Sequence, residues 1–166
     1  MEKIYIGFST HTGNLLSKTI QLVEGSNYSH VYIRRNSKYG EYVYQASGLA
    51  VNFMNAEIFR AHNITVEEYE FELPDDKKEK LLSFFIKYAG AGYELKSLFK
   101  ILAMLGAKRI GWDLKFKGDG SQEFICSELA AFFCEEILGI NIEGELDFIT
   151  PKMLNPIIAA HGKRVI

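Results

Sequence analysis

Two thiols and four imidazoles are the groups in this 166-residue chain suited to act as nucleophile or base near neutral pH: Cys126 and Cys134, and His11, His30, His62 and His161. The histidines form no close pair along the sequence. There is no His-Glu-x-x-His, no Cys-x-x-Cys and no acidic calcium loop, so neither a metal nor a cofactor is expected. Gly90-Ala91-Gly92 follows a helical pattern and lacks the Lys-Ser/Thr of a phosphate loop, and the serine elbow Gly-x-Ser-x-Gly is absent.

Cys126 stands in Glu123-Phe124-Ile125-Cys126-Ser127-Glu128, directly after the loop residues Gly118-Asp119-Gly120-Ser121. That context puts it in the first turn of a helix, where unpaired N–H groups and the helix dipole favour a thiolate and lower its pKa. Cys134 falls mid-helix beside Phe132 and Phe133, where nothing favours charge. Burial as a small hydrophobe is the alternative for both. His30 opens a strand after Tyr28-Ser29, either as a base or as a solvated surface group. His11 reads as a turn residue, and His62 and His161 as surface or packing residues.

These groups need elements to position them. Lys3 to Phe8 alternates as a strand and ends in Ser9 to Gly13, a turn-prone run. Asn14 to Val23 has helical spacing and stops at Gly25. Ser29–Arg34 and Glu41–Ala46 form a hairpin whose apolar faces align. A register in which paired numbers sum to 75 puts Arg34 opposite Glu41 and His30 opposite Gln45. Gln45 can then accept a hydrogen bond from the imidazole, with Glu41 as the charged competitor. Leu49–Met54 and Ile64–Leu73 read as further strands. Pro74-Asp75-Asp76 opens a helix, Leu95–Leu105 forms another, and 108–122 reads mainly as loop. Phe124–Leu138 is a helix stopped by Gly139, and Thr150-Pro151 caps a last one. Strands first and helices after give an α+β class in one domain over 1–166.

Composition narrows the function classes. Hydrophobic residues make up 48%, enough for a core, and 19 Lys+Arg against 21 Asp+Glu leave a net charge of −2. That balance argues against a nucleic-acid partner. Two cysteines cannot form a disulfide framework, and eight residues along one helix separate them by ~12 Å, too far to bridge. The first residues lack a signal-peptide pattern, and no apolar run is long enough to span a membrane, so a reducing cytoplasmic compartment is expected.

The ordered segments carry a resemblance. Phe8-Ser9 with Leu16 to Ile20, Asn27-Tyr28-Ser29-His30-Val31, Tyr44-Gln45-Ala46, Tyr88 to Tyr93, Phe124 to Leu129 and Ile149 to Leu154 together resemble the circularly permuted papain-like hydrolases of the YiiX type, within the NlpC-type superfamily. The resemblance implies an antiparallel sheet packed against helices, with the cysteine at a helix N-terminus and the histidine strand earlier in sequence. It makes Cys126 the nucleophile, His30 the general base and Gln45 the orienting residue. A carboxylate is frequent at the third position, and neutral Gln45 stabilises an imidazolium less. The implied activity is a thiol hydrolase or acyltransferase cleaving a peptide-like amide or an acyl-lipid bond. The rival is the same fold kept as a module that binds a peptide, lipid or protein.

Overall fold

Ile4, Ile6 and Phe8 alternate with Lys3, Tyr5 and Gly7 along the first strand, β1 (Glu2–His11), and all three apolar side chains are buried. The computed structural model describes residues 1–48, 50–92, 95–114, 124–144 and 146–166, with the backbone alone at 95–98 and 147. β1 lies inside a six-stranded sheet of order β4-β3-β2-β1-β5-β6. The other strands are β2 (His30–Ser37), β3 (Gly40–Ser47), β4 (Ala50–Asn55), β5 (Asn63–Leu73) and β6 (Lys163–Arg164). Every neighbouring pair is antiparallel.

Helices follow: α1 (Leu15–Glu24) after β1, α2 (Ala56–His62) after β4, α3 (Lys78–Tyr88), α4 (Leu95–Arg109), α5 (Cys126–Phe133) and α6 (Pro151–His161). The chain is α+β, with an antiparallel sheet and six helices among the described residues. Ile4, Ile6, Phe8, Val31, Ile33 and Tyr44 form one sheet face, which packs against buried residues of α3, α5 and α6 such as Phe84, Leu129 and Leu154. On the other face Tyr32 and Val43 pack against Ala56 and Phe59 of α2.

The hairpin register differs from expectation. Ile33 pairs with Tyr44 and Arg34 with Val43, so paired numbers sum to 77, a slip of two residues. An even slip preserves which side chains share a face. Arg34 therefore still reaches Glu41, at 3.1 Å, as a diagonal neighbour rather than an opposite one.

Local caps account for several boundaries. Asn14 accepts a hydrogen bond from the Leu16 N–H, and Gly25 takes the left-handed conformation that ends α1. Thr150 accepts from the Met153 N–H at the start of α6. β1 continues through Ser9, Thr10 and His11 because β5 pairs with all three, where the sequence suggested a turn. Helix α2 and strand β6 were not expected. Asp75–Lys77 form a short 3-10 turn before α3. The expected 124–138 helix is split into α5 and a wider π-type turn over Cys134–Leu138, through which Cys134 and Ile137 stay buried, before left-handed Gly139. Helix α4 runs on to Arg109, beyond the expected end at Leu105. Residues 115–123, with the Gly118–Ser121 loop, lie outside the described residues, as do Leu49 and Tyr93.

Candidate active site

Cys126 is the first residue of α5, as its sequence context indicated. The Glu128 carboxylate accepts from the Ile125 N–H at 3.0 Å, closing the helix start. The Ser127 hydroxyl donates to the Ile149 carbonyl at 2.6 Å, tying that start to the segment before α6. The backbone N–H groups of Val31 in β2 and of Ser127 lie beside the sulfur and favour its charged form. Only 7% of Cys126 is exposed. Burial pushes its thiol up to about 12, opposed by those N–H groups and assisted by the nearby Glu24 carboxylate. The helix start therefore does not deliver the lowered thiol pKa expected from sequence, because desolvation outweighs the N–H groups. Cys134, fully buried, is also pushed up by burial, and both cysteines are free.

His30 is the first residue of β2, paired with Ser9. Its Nε2 donates to the Gln45 side-chain oxygen at 2.7 Å, since an amide oxygen can only accept. Gln45 is 4% exposed, and its amide nitrogen donates to the Met54 sulfur at 4.0 Å. The expected His30–Gln45 contact is thus present, although reached diagonally across the slipped hairpin. This tautomer leaves Nδ1 as the basic ring nitrogen. Burial is the main cause lowering the His30 pKa to about 4, with the Gln45 bond opposing it and His11 adding to it. At neutral pH the imidazole and the thiol are both uncharged.

The hydrogen-bond partner of the His30 ring is Gln45 and not the Cys126 sulfur, whose neighbour in β2 is the backbone of Val31, the residue after His30. Main-chain N–H groups flank the sulfur, and the hydrogen bond of the ring goes to Gln45. The hollows bordered by Cys126 and by His30 share Ser29 and Ile20 as walls. Ser29 is buried, and its hydroxyl lies 2.5 Å from that of Ser17, which in turn lies 3.1 Å from Thr10.

Two features escaped the sequence reading. Glu24, at the end of α1, is buried beside the same hollow as Cys126, and burial pushes its carboxyl up to about 7. Backbone N–H of Lys152 donates to it at 3.3 Å. Its signal was available, because Ser17, Ile20 and Glu24 occupy one stripe of a 3.6-residue helix. His11 and His62, fifty-one positions apart, are stacked with ring centroids 6.3 Å apart, and both border the hollow that holds His30. They are drawn together where Thr12 hydrogen-bonds the His62 carbonyl, a long-range contact with no local signal.

No protein-family model and no curated protein matches the chain. A solved structure does: that of the metalloprotein YiiX from Escherichia coli O157:H7, of the domain family DUF1105, is 18% identical. The match covers 100% of this chain and 88% of that one, with a TM-score of 0.59. Among the described residues here, no three His, Cys, Asp or Glu side chains are grouped to hold a metal ion. No helix among the described residues is long and apolar enough to cross a membrane. The chain has a YiiX-like α+β fold.

Proposed function

We propose that the chain is a thiol-dependent hydrolase or acyltransferase of permuted papain-like, NlpC-type architecture. In this reading Cys126 is the nucleophile, His30 the general base and Gln45 the group that orients the imidazole. The observation that carries it is the Nε2–Gln45 bond of 2.7 Å, which leaves Nδ1 free for proton traffic on the residue before Val31, whose backbone lies beside the Cys126 sulfur.

The neutral state of both groups decides the form of the attack. With the thiol near 12 and the imidazole near 4, a preformed ion pair is disfavoured. The S–H proton passes to His30 Nδ1 as sulfur bonds to the carbonyl carbon. In this reading the Cys126 N–H stabilises the oxyanion. The C–O or C–N bond then breaks, and the leaving group takes the proton from His30. Water or an amine attacks the acyl-sulfur bond, and its proton returns to the sulfur through His30. Gln45 keeps the tautomer through this cycle but brings no negative charge to the imidazolium. Burial of the thiol favours the rival reading, a binding module without turnover.

Release of p-nitrophenolate from p-nitrophenyl acetate separates the two. The enzyme gives a burst of one equivalent per chain, absent in Cys126→Ser and slowed about 10²–10⁴-fold in His30→Gln. No burst in the unmodified protein, or a burst that survives Cys126→Ser, refutes the enzyme reading.

A further inference from the structure

Helices α1 and α4 are neighbours, and Ile20 of the one and Ile101 of the other share a buried cluster with Ile125. That inward stripe accounts for one apolar side of each helix, yet each carries a second apolar stripe that faces out. On α1, Leu15 and Leu22 are 79% and 71% exposed, with exposed Lys18 between them at helical spacing. On α4, Phe99 and Ala103 are exposed, and Gly106 and exposed Ile110 continue the same side into the turn that follows. Left-handed Gly111 then folds the chain back. The Trp112 N–H donates to the Ala107 carbonyl at 2.9 Å, while the residue stays 66% exposed. Charge is distributed to match. By sequence Lys18, Lys96, Lys100, Lys108 and Arg109 belong to these two helices, against one carboxylate, that of buried Glu24, in a chain whose net charge is −2. Asp113, after Trp112, offsets part of this positive charge.

We propose that the outer faces of α1 and α4, with Trp112, dock the chain on the surface of a bilayer rich in anionic phospholipid. Large apolar side chains on solvent-facing stripes mark an interaction surface, and the boundary between headgroups and acyl chains takes up such side chains. A tryptophan suits that boundary, with an apolar ring and one N–H for the wet side. The cations select the lipid: anionic headgroups attract Lys and Arg, each strengthening binding about fivefold. A protein partner fits this surface less well, because lysine is depleted in protein interfaces. Helix α4, with 15 residues, is too short to cross a bilayer, so it lies in the plane of the interface. Docking of this kind is independent of the bond that Cys126 attacks.

Vesicles of phosphatidylserine mixed with phosphatidylcholine, and of phosphatidylcholine alone, test this with the full chain. Trp112 is the sole tryptophan, so its emission reports the contact directly. The chain should sediment with the mixed vesicles, its emission should shift to the blue, and lipid with brominated chains should quench it saturably. Affinity should fall about tenfold or more on phosphatidylcholine alone, in Lys18→Glu/Arg109→Glu and in Phe99→Ser/Ile110→Ser, and it should weaken as salt is added. All four substituted positions are exposed, so the variants keep the fold, which circular dichroism checks. Cys126→Ser should bind as the unmodified chain does, so that loss of turnover and loss of docking are read separately. No sedimentation with the mixed vesicles, equal affinity for the two lipids, or binding that leaves Trp112 unquenched overturns the proposal. Binding unaffected in either double variant does the same. So does self-association that Phe99→Ser/Ile110→Ser abolishes in a chain that ignores vesicles, a result that assigns the surface to a second copy.

Discussion

Replacing Glu24 by Gln removes a buried charge while keeping an oxygen that can accept from the Lys152 N–H. In the folded protein the Glu24 carboxyl is raised from 4.5 to about 7, chiefly by burial, and Lys152 opposes this without overcoming it. At about 1.4 kcal/mol for each pH unit, the ionised form costs the fold roughly 3 kcal/mol. Between pH 4.5 and 7 the folded state binds more protons than the unfolded one, so stability falls as pH rises through that window. His30 acts in the opposite sense. Its pKa is lowered from 6.5 to about 4, so the unfolded state binds the extra proton and stability rises by a similar amount between pH 4 and 6.5. The two trends offset each other in the unmodified protein, and Glu24→Gln exposes that of His30. Urea unfolding from pH 4.5 to 8 at constant ionic strength measures this. The stability of Glu24→Gln relative to the unmodified protein should grow by about 3 kcal/mol across the range. Because Glu24 also helps to raise the Cys126 pKa, alkylation of Cys126 at alkaline pH should be faster in the variant. A stability difference that stays flat from pH 4.5 to 8 refutes the displaced carboxyl and its place beside the thiol.

Two further outcomes test the sheet that carries the site. The Arg34 guanidinium grips the buried Glu68 carboxylate at 3.0 and 2.6 Å, so Arg34→Met should cost about 3–5 kcal/mol, much of it regained in Arg34→Met/Glu68→Leu, as chemical denaturation would show. A Cβ on Gly7 would sit 2.1 Å from the Tyr32 ring, which crosses β1 to donate to Glu68 at 2.8 Å. Gly7→Ala should therefore cost about 1–3 kcal/mol and almost nothing in a Tyr32→Ala background, a double-mutant cycle that fails if the cost persists.

Short-range pattern was enough for the α+β class, the hairpin, the cap at Thr150, the stop at Gly139 and the placing of Cys126 at a helix start. Each depends on a few consecutive residues: alternation, a threonine before a proline, a glycine where the backbone turns left-handed. The His30–Gln45 pair was legible for the same reason, because side-chain parity survives an even slip in register. The slip itself was not legible, since the Arg34–Glu41 attraction is satisfied diagonally as well as directly. Nor was the state of the thiol. A helix start predicts a lowered pKa, but burial under β2 and the approach of Glu24 decide it, and both arise from residues far away in the chain. His11, His30 and His62 share one hollow for that reason too, as β1, β2 and the end of α2 converge there. Residue type and spacing thus determined which groups could react. Tertiary packing alone determined their charge and their neighbours, because desolvation and proximity belong to the folded volume and not to any stretch of sequence.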